Sequence, residues 1–503
     1  MHLTKSLYVP IILAFLLFMS IFAVYLANRS SSPSFSICNL SFKLGENEKR
    51  INFHVKVERG SIELKQILVN NVSVESWSAD KLVASEGEEI NCTLKYDWRM
   101  GEDYVFKVIT VDNQSAEQVV KAPVIHPNIS IDIKNVSIIS NSKFLRVNVA
   151  YRAHGEGIDT LHTILFTYSS FNKFNHTLYI FYDPDFMADE SLKRADAIVK
   201  YFHRYGIEIY KIDFNALEIL SKAMLQRSIL IVVNPLKDKY GRRLEDALPA
   251  PLIDPDRDGK IKDNSRYGKS FIYDWMKDKG LIFITVGSLQ PHKRILYKDG
   301  IYNYARDSFE TFDVHLFFTD ATGKEGIIEG RFILGDYSPT RITGTLGLSY
   351  REESFGFDKN ALERYGLRYY GYGDYKLFCE GVNFNLTLPV FIRVGKGGWL
   401  VMSDEGYWLS DEQLAHDLFL IYMQSVWDSE WIPYGWYWDN GGTFHECAGV
   451  LKVNDRLETG SIPSDIIGRK LVIRILGIAY SSDLKEGIVV EKVLEYPIFQ
   501  ELH

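Results

Sequence analysis

The sequence reads as a multidomain protein. An N-terminal transmembrane helix comes first, then one or more all-β sandwich modules, then an α/β domain on a parallel sheet, then a β-rich C-terminal region. Three observations lead there. One uncharged apolar run opens the chain. Period-two alternation fills residues 35–122. From residue 178, helical periodicity alternates with short apolar runs. The 503 residues allow about three or four domains and cores that need no disulfides. With 46% hydrophobic and 14% aromatic residues, the chain is not a disordered polymer. Its net charge of -8 argues against general nucleic-acid binding, which needs clustered Lys and Arg.

The apolar run covers Leu7 to Ala27, with Lys5 before it and Arg29 and a Ser-rich stretch after it. At about 1.5 Å per residue such a run spans a hydrocarbon core about 30 Å thick. It is longer than a usual signal h-region, and no A-x-A pattern closes it, so a signal-anchor is expected; the alternative is a cleaved secretory signal. Either way the remaining chain is exported, giving a single-pass cell-membrane protein or a secreted one. Sequons at Asn28, Asn39, Asn71, Asn91, Asn113, Asn128, Asn135, Asn175 and Asn385 point to a glycoprotein. Four cysteines, Cys38, Cys92, Cys379 and Cys447, suggest pairing in that compartment. Three connectivities are open; Cys38–Cys92 with Cys379–Cys447 keeps each bridge within one region. No CxxC spacing favours structural zinc.

Residues 1–34 are thus anchor and linker, and 35–122 a sandwich. The runs INFHVKV (51–57), QILVNNVSV (66–74), EINCTLKYDW (89–98) and YVFKVITVD (104–112) alternate, with turns at 46–48, 87–88 and 100–102. This order resembles the small immunoglobulin-like sandwiches of archaeal surface proteins, which implies a spacer or adhesion module. Residues 123–174 form a second β-rich module or a linker.

Residues 175–430 read as the α/β domain. LYIFYD (178–183), IEIYKID (207–213), SILIVVNP (228–235) and LIFITVG (281–287) are strands, with amphipathic helices at 190–206, 215–225 and 268–280. After a long insert come GGWLVMSDE (397–405) and a helix over 410–427. This element order, with WMKDKGLIFITVGS before one strand end and GKGGWLVMSDE after the insert, resembles the class I glutamine-amidotransferase-like fold, in particular its noncatalytic relatives. Catalytic members place a Cys in a tight turn after one such strand. The turn here reads Thr285-Val286-Gly287-Ser288-Leu289, with neither Cys nor a G-x-S-x-G elbow, so the resemblance implies a noncatalytic domain. Residues 431–503 hold a Trp-rich segment and a β region.

The sharpest local signal is Asp254-Pro-Asp256-Arg-Asp258-Gly-Lys260-Ile261-Lys-Asp263. Three carboxylates at this spacing wrap a hard cation, with the Lys260 carbonyl and Asp263 completing the set. Ser265 stands where an EF-hand loop has its bidentate Glu. The pattern resembles calcium loops of thrombospondin and dockerin type and implies structural calcium; the alternative is an acidic turn. Six of the nine Trp fall between Trp399 and Trp438. Trp408, Trp431, Trp436 and Trp438 with Asp439 form a candidate ligand face, where rings would stack on sugar CH faces; the alternative is a packed domain interface.

Catalytic candidates sit at strand ends: Asp183 and Asp185, Ser288 and His292, Asp404 and Glu405, with His416 on the next helix. Paired acids suit glycoside hydrolysis, although Asp at strand ends more often caps turns. Ser288 could serve a peptidase only with a His and an acid beside it. His445-Glu446-Cys447 offers little, since an exported thiol is normally oxidised. Two functions follow. One is a membrane-anchored extracellular glycoprotein with a structural or ligand-binding role, whose partner is a carbohydrate or a surface protein. The other is a cell-surface carbohydrate-active hydrolase.

Overall fold

In the computed structural model the described residues are 15–20, 32–140, 144–168, 175–244, 247–254, 271–287, 294–304, 357–364, 369–371, 374–379, 382–387, 389–402, 410–424, 438–439, 443–458, 462–463 and 470–497. The fold is β-rich, with several sheets. Of the Leu7–Ala27 run, only residues 15–20 are described. They are helical, with Phe15, Leu16, Leu17, Phe18 and Met19 exposed. Among the described residues no helix is long and apolar enough to cross a membrane.

The N-terminal sandwich follows from alternation. Strand Lys49–Arg59 turns Ile51, Phe53, Val55 and Val57 inward, in the same row as the buried Lys49, and Arg50, Lys56 and Glu58 outward. It pairs with Ser34–Leu44 on one side and Glu89–Lys95 on the other. The second sheet is built on Ser61–Val69, Asp103–Thr110 and Ser115–Lys121. Between the sheets lies one core holding Phe53, Ile67, Trp98 and Phe106, with Phe42 edge-on to Trp98 at 5.1 Å. The stretch 66–74, read above as one strand, is a hairpin. Asn70 and Asn71 adopt left-handed φ of 50° and 65°, the geometry of a tight two-residue turn, and Val69 pairs with Val72 across it.

The next β module joins segments nearly 300 positions apart. Strand Phe144–Tyr168 pairs with Asn128–Ser140 and also with Thr443–Glu458 and Lys470–Ser481. Lys470–Ser481 in turn pairs with Glu486–Pro497. Residues 128–168 and 443–497 are therefore one module, and boundaries drawn at 174 and 431 cut it in two. The 25-residue strand bends near Gly157, where the register with Thr443–Glu458 shifts on both sides of Ile158. Gly157 has φ +71°, and a Cβ there would lie 2.4 Å from the Ile125 carbonyl oxygen.

Between those segments is the central unit. Its seven-stranded sheet runs, in space, Ile209–Ile212, Thr177–Phe181, Ser228–Val233, Ile282–Val286, Gly397–Val401, Val390–Val394, Tyr369–Gly371. The first five are parallel and the last two pairings antiparallel. Ser228–Val233, Ile282–Val286 and Gly397–Val401 are buried throughout, as strands covered on both faces must be. Helix Asp189–Arg204 packs on helix Asp411–Gln424, while Phe214–Ala223, Ala250–Ile253 and Phe271–Lys279 form a separate group. Helix Asp189–Arg204 carries Asp189 and Glu190 in its first turn and His203 and Arg204 in its last, matching the helix dipole. It buries Ala195, Ile198, Tyr201 and Phe202.

Two buried charges hold the units together. Lys49 Nζ, from the sandwich, donates to Asp483 Oδ2 of the split module at 3.0 Å and to the Trp98 carbonyl at 2.9 Å. Asp483 also accepts from the Met100 backbone N–H at 3.1 Å. Arg474 bonds Glu491 at 3.0 Å and donates to the Met423 carbonyl in the last turn of helix Asp411–Gln424. Its side chain is 4% exposed. Removing one member of a buried pair leaves the other unpaired, so Arg474→Ala should cost about 3 kcal/mol or more in urea unfolding, with Arg474→Lys intermediate.

His176 stands just before the first parallel strand, and burial, helped by the Arg227 charge, lowers its pKa from 6.5 to about 4. The unfolded chain takes up this proton first. The contribution of His176 is therefore whole above pH 6.5 and is lost as pH falls toward about 4. Unfolding followed across that window should show the loss, and His176→Asn should flatten it.

Candidate functional site

Asp183 does not stand open at its strand end. It is 8% exposed. Oδ2 accepts from the Phe214 N–H at 3.0 Å and Oδ1 from the Asp185 N–H at 3.1 Å. The carboxylate ties the turn after strand Thr177–Phe181 to the start of helix Phe214–Ala223, which Asp213 caps through the Ala216 N–H at 2.8 Å. Asp185 is exposed. In the turn after Ile282–Val286 the position with φ +85° is Gly287, which has no side chain to present. Ser288, His292, Asp404, Glu405, Trp408, Trp431 and Trp436 lie outside the described residues, as do Asp256, Asp258, Lys260 and Asp263. Asp254 is described: it is fully buried and accepts from the Tyr297 hydroxyl at 2.5 Å. Among the described residues no three His, Cys, Asp or Glu side chains group to hold a metal. Trp438 and Asp439 pair as a short strand with Thr167 and Phe166.

The expected Cys38–Cys92 bridge does not form. Cys38 pairs across from His54 and Cys92 across from Phe53, so strand Lys49–Arg59 lies between them. Two strand spacings of about 4.8 Å exceed the reach of a disulfide. The neighbouring positions His54 and Phe53 also face opposite sides of the sheet. Among the described residues Cys38, Cys92 and Cys447 form no disulfide. Burial lifts the Cys92 pKa to about 12, and Cys447 donates to the Ile158 carbonyl at 2.9 Å. The Cys379 side chain lies outside the described residues. All eight sequon asparagines from Asn39 to Asn385 are exposed.

The structure assembles a different site, which the sequence did not disclose. A cleft of about 370 Å³ opens where the central unit meets the split module. Helical spacing supplies one wall: Tyr201 and Arg204 from one helix with Tyr205 at its C-cap, and Glu412, Gln413, His416 and Phe419 from the other. Cross-strand register supplies the opposite wall. Phe444, His162 and Ile478 are paired across three adjacent strands, and Thr160 pairs with Tyr480 in a second row.

Stacked rings build the cleft. Tyr205 lies on Phe419 at 4.5 Å, and Tyr201 meets Phe419 edge-on at 5.6 Å. The Arg204 guanidinium sits 5.3 Å from the ring centroids of both Tyr201 and Tyr480 and donates to Glu412 at 2.5 Å. Burial opposes the Arg204 charge, but the bond to Glu412 together with the electrostatic pull of Tyr480, Glu412 and Tyr201 outweighs it, and its pKa is raised. Burial also raises the pKa values of Tyr201 and Tyr205, so both hydroxyls stay protonated. His416 stands edge-on to Tyr201, its Nδ1 3.1 Å from Asp417. Among the described residues, two buried atoms, Arg204 Nε and Gln413 Oε1, have no hydrogen-bond partner. Phe444 is 59% exposed. Only His416 of these residues was singled out in the sequence, because the walls come from segments more than 200 positions apart. Such a cleft, with flat apolar rings and a few fixed polar groups, suits a small ligand. No protein-family model and no curated protein matches this chain.

Proposed function

We propose that the chain is a membrane-anchored extracellular glycoprotein with a ligand-binding or structural role. Its central unit is read as a noncatalytic α/β domain of amidotransferase-like type, stabilised by calcium at Asp254–Asp263. The observation that carries the reading is the exposure of all eight sequon asparagines from Asn39 to Asn385, since a glycan needs a surface position. The exposed apolar residues Phe15 to Met19 support the anchor. The parallel strands with helices between them support the α/β reading. The engagement of Asp183 by two backbone N–H groups supports binding over hydrolysis, because a catalytic carboxylate must be open to substrate. A bound calcium would pin the long segment between Ile253 and Phe271.

In a glycosylating secretory host, the full chain should gain glycan mass at several sites, and Asn71→Gln with Asn113→Gln should remove part of it. Protease added to intact cells should degrade all but the N-terminal segment. A chain of unmodified mass that resists protease on intact cells would overturn the reading. Calcium should raise the melting temperature of the protein, and chelator should lower it. Asp256→Ala should abolish both shifts; equal melting with calcium and with chelator would reduce the loop to an acidic turn.

A further inference from the structure

We propose that the cleft between the central unit and the split β module binds a short neutral saccharide. This names the ligand class for the binding role proposed above and rests on it. Three observations point to a sugar. The first is shape. A space of about 370 Å³ falls in the range of small-molecule sites, and one rim carries Phe444, a flat ring 59% exposed. Sugar CH faces stack on such rings.

The second is charge. Arg204 and Glu412 already neutralise each other at 2.5 Å. An ionic ligand would have to separate that pair. A hydroxyl group need not, because it can donate to the carboxylate and accept from the guanidinium at once.

The third is unmet hydrogen bonding. Arg204 Nε is a donor and Gln413 Oε1 an acceptor; both belong to residues that line the cleft, both are buried just beneath its surface, so that a small turn of the side chain is needed to present them, and among the described residues neither has a partner. Leaving such groups unpaired costs about 1–3 kcal/mol each. Adjacent hydroxyls on one sugar ring offer an acceptor and a donor together. Thr160, whose hydroxyl can both donate and accept, lines the opposite wall. Because the two walls belong to different units, a bound sugar would also brace the joint between them.

The test uses the full chain in detergent and saturation-transfer NMR, with maltose, mannobiose and lactose as probes and galacturonate and benzamidine as charged controls. At least one neutral disaccharide should bind with a dissociation constant of about 1 mM or tighter. Phe444→Ala and Gln413→Ala should each weaken it about tenfold or more, without lowering the melting temperature. Phe444 is exposed, so its replacement leaves the core intact. Three results would overturn the proposal: no neutral disaccharide binding up to about 10 mM, binding that both variants leave unchanged, or a preference for galacturonate or benzamidine. That last outcome would keep a binding role and reject the ligand class. The glycan and protease results test the extracellular reading separately. Cleavage of a disaccharide would overturn the noncatalytic reading itself.

Discussion

The structure depends on two neighbouring strands, Phe144–Tyr168 and Lys470–Ser481, that are buried on both faces where they pair. Successive side chains point to opposite sides. Leu161 and Leu165 with Ile473 and Ile475 therefore enter the core of the split module, while Ile164 and Phe166 with Val472 and Leu476 enter the core of the central unit. One pair of strands serves two cores. A one-residue slip would exchange the two sets, so the register is fixed from both sides. Arg474 shares the outward row. Its charge is tolerated because Glu491 and the Met423 carbonyl receive it.

The same logic sets the N-terminal sandwich against this frame. A linker alone would leave it free to swing. Instead Lys49 and Asp483 meet at the joint with 7% and 9% side-chain exposure, and Gly45 bridges Gly449. A buried pair of this kind is weak as a source of stability, but breaking it is costly, so it specifies how the units meet more than it stabilises them. His126, bonded to Glu486 at 2.9 Å, sits exposed beside the same loop and adds little.

Polar groups in this protein divide by use. Asp183, Asp213 and Asp238 spend their carboxylates on backbone N–H groups. They hold turns and the start of one helix. The cleft is different. There the rings are packed against one another while, among the described residues, Arg204 Nε and Gln413 Oε1 have no hydrogen-bond partner.

Much of this was legible in the sequence, and for local reasons. Period-two alternation gave the strand Lys49–Arg59, and the amphipathic spacing of Ala195, Ile198 and Phe202 gave the helix Asp189–Arg204. The apolar runs at 228–233 and 282–286 are buried strands because only full burial permits such runs. Hairpin chemistry at Asn70-Asn71 was readable but outweighed by the surrounding β text. What no local pattern carried was contact across distance. The union of 128–168 with 443–497, the strand that separates Cys38 from Cys92, and the meeting of Arg204, Glu412, His162 and Phe444 each depend on which strand lies beside which. Periodicity determines which face of an element is apolar. Only the packing of those faces decides which distant residues become neighbours.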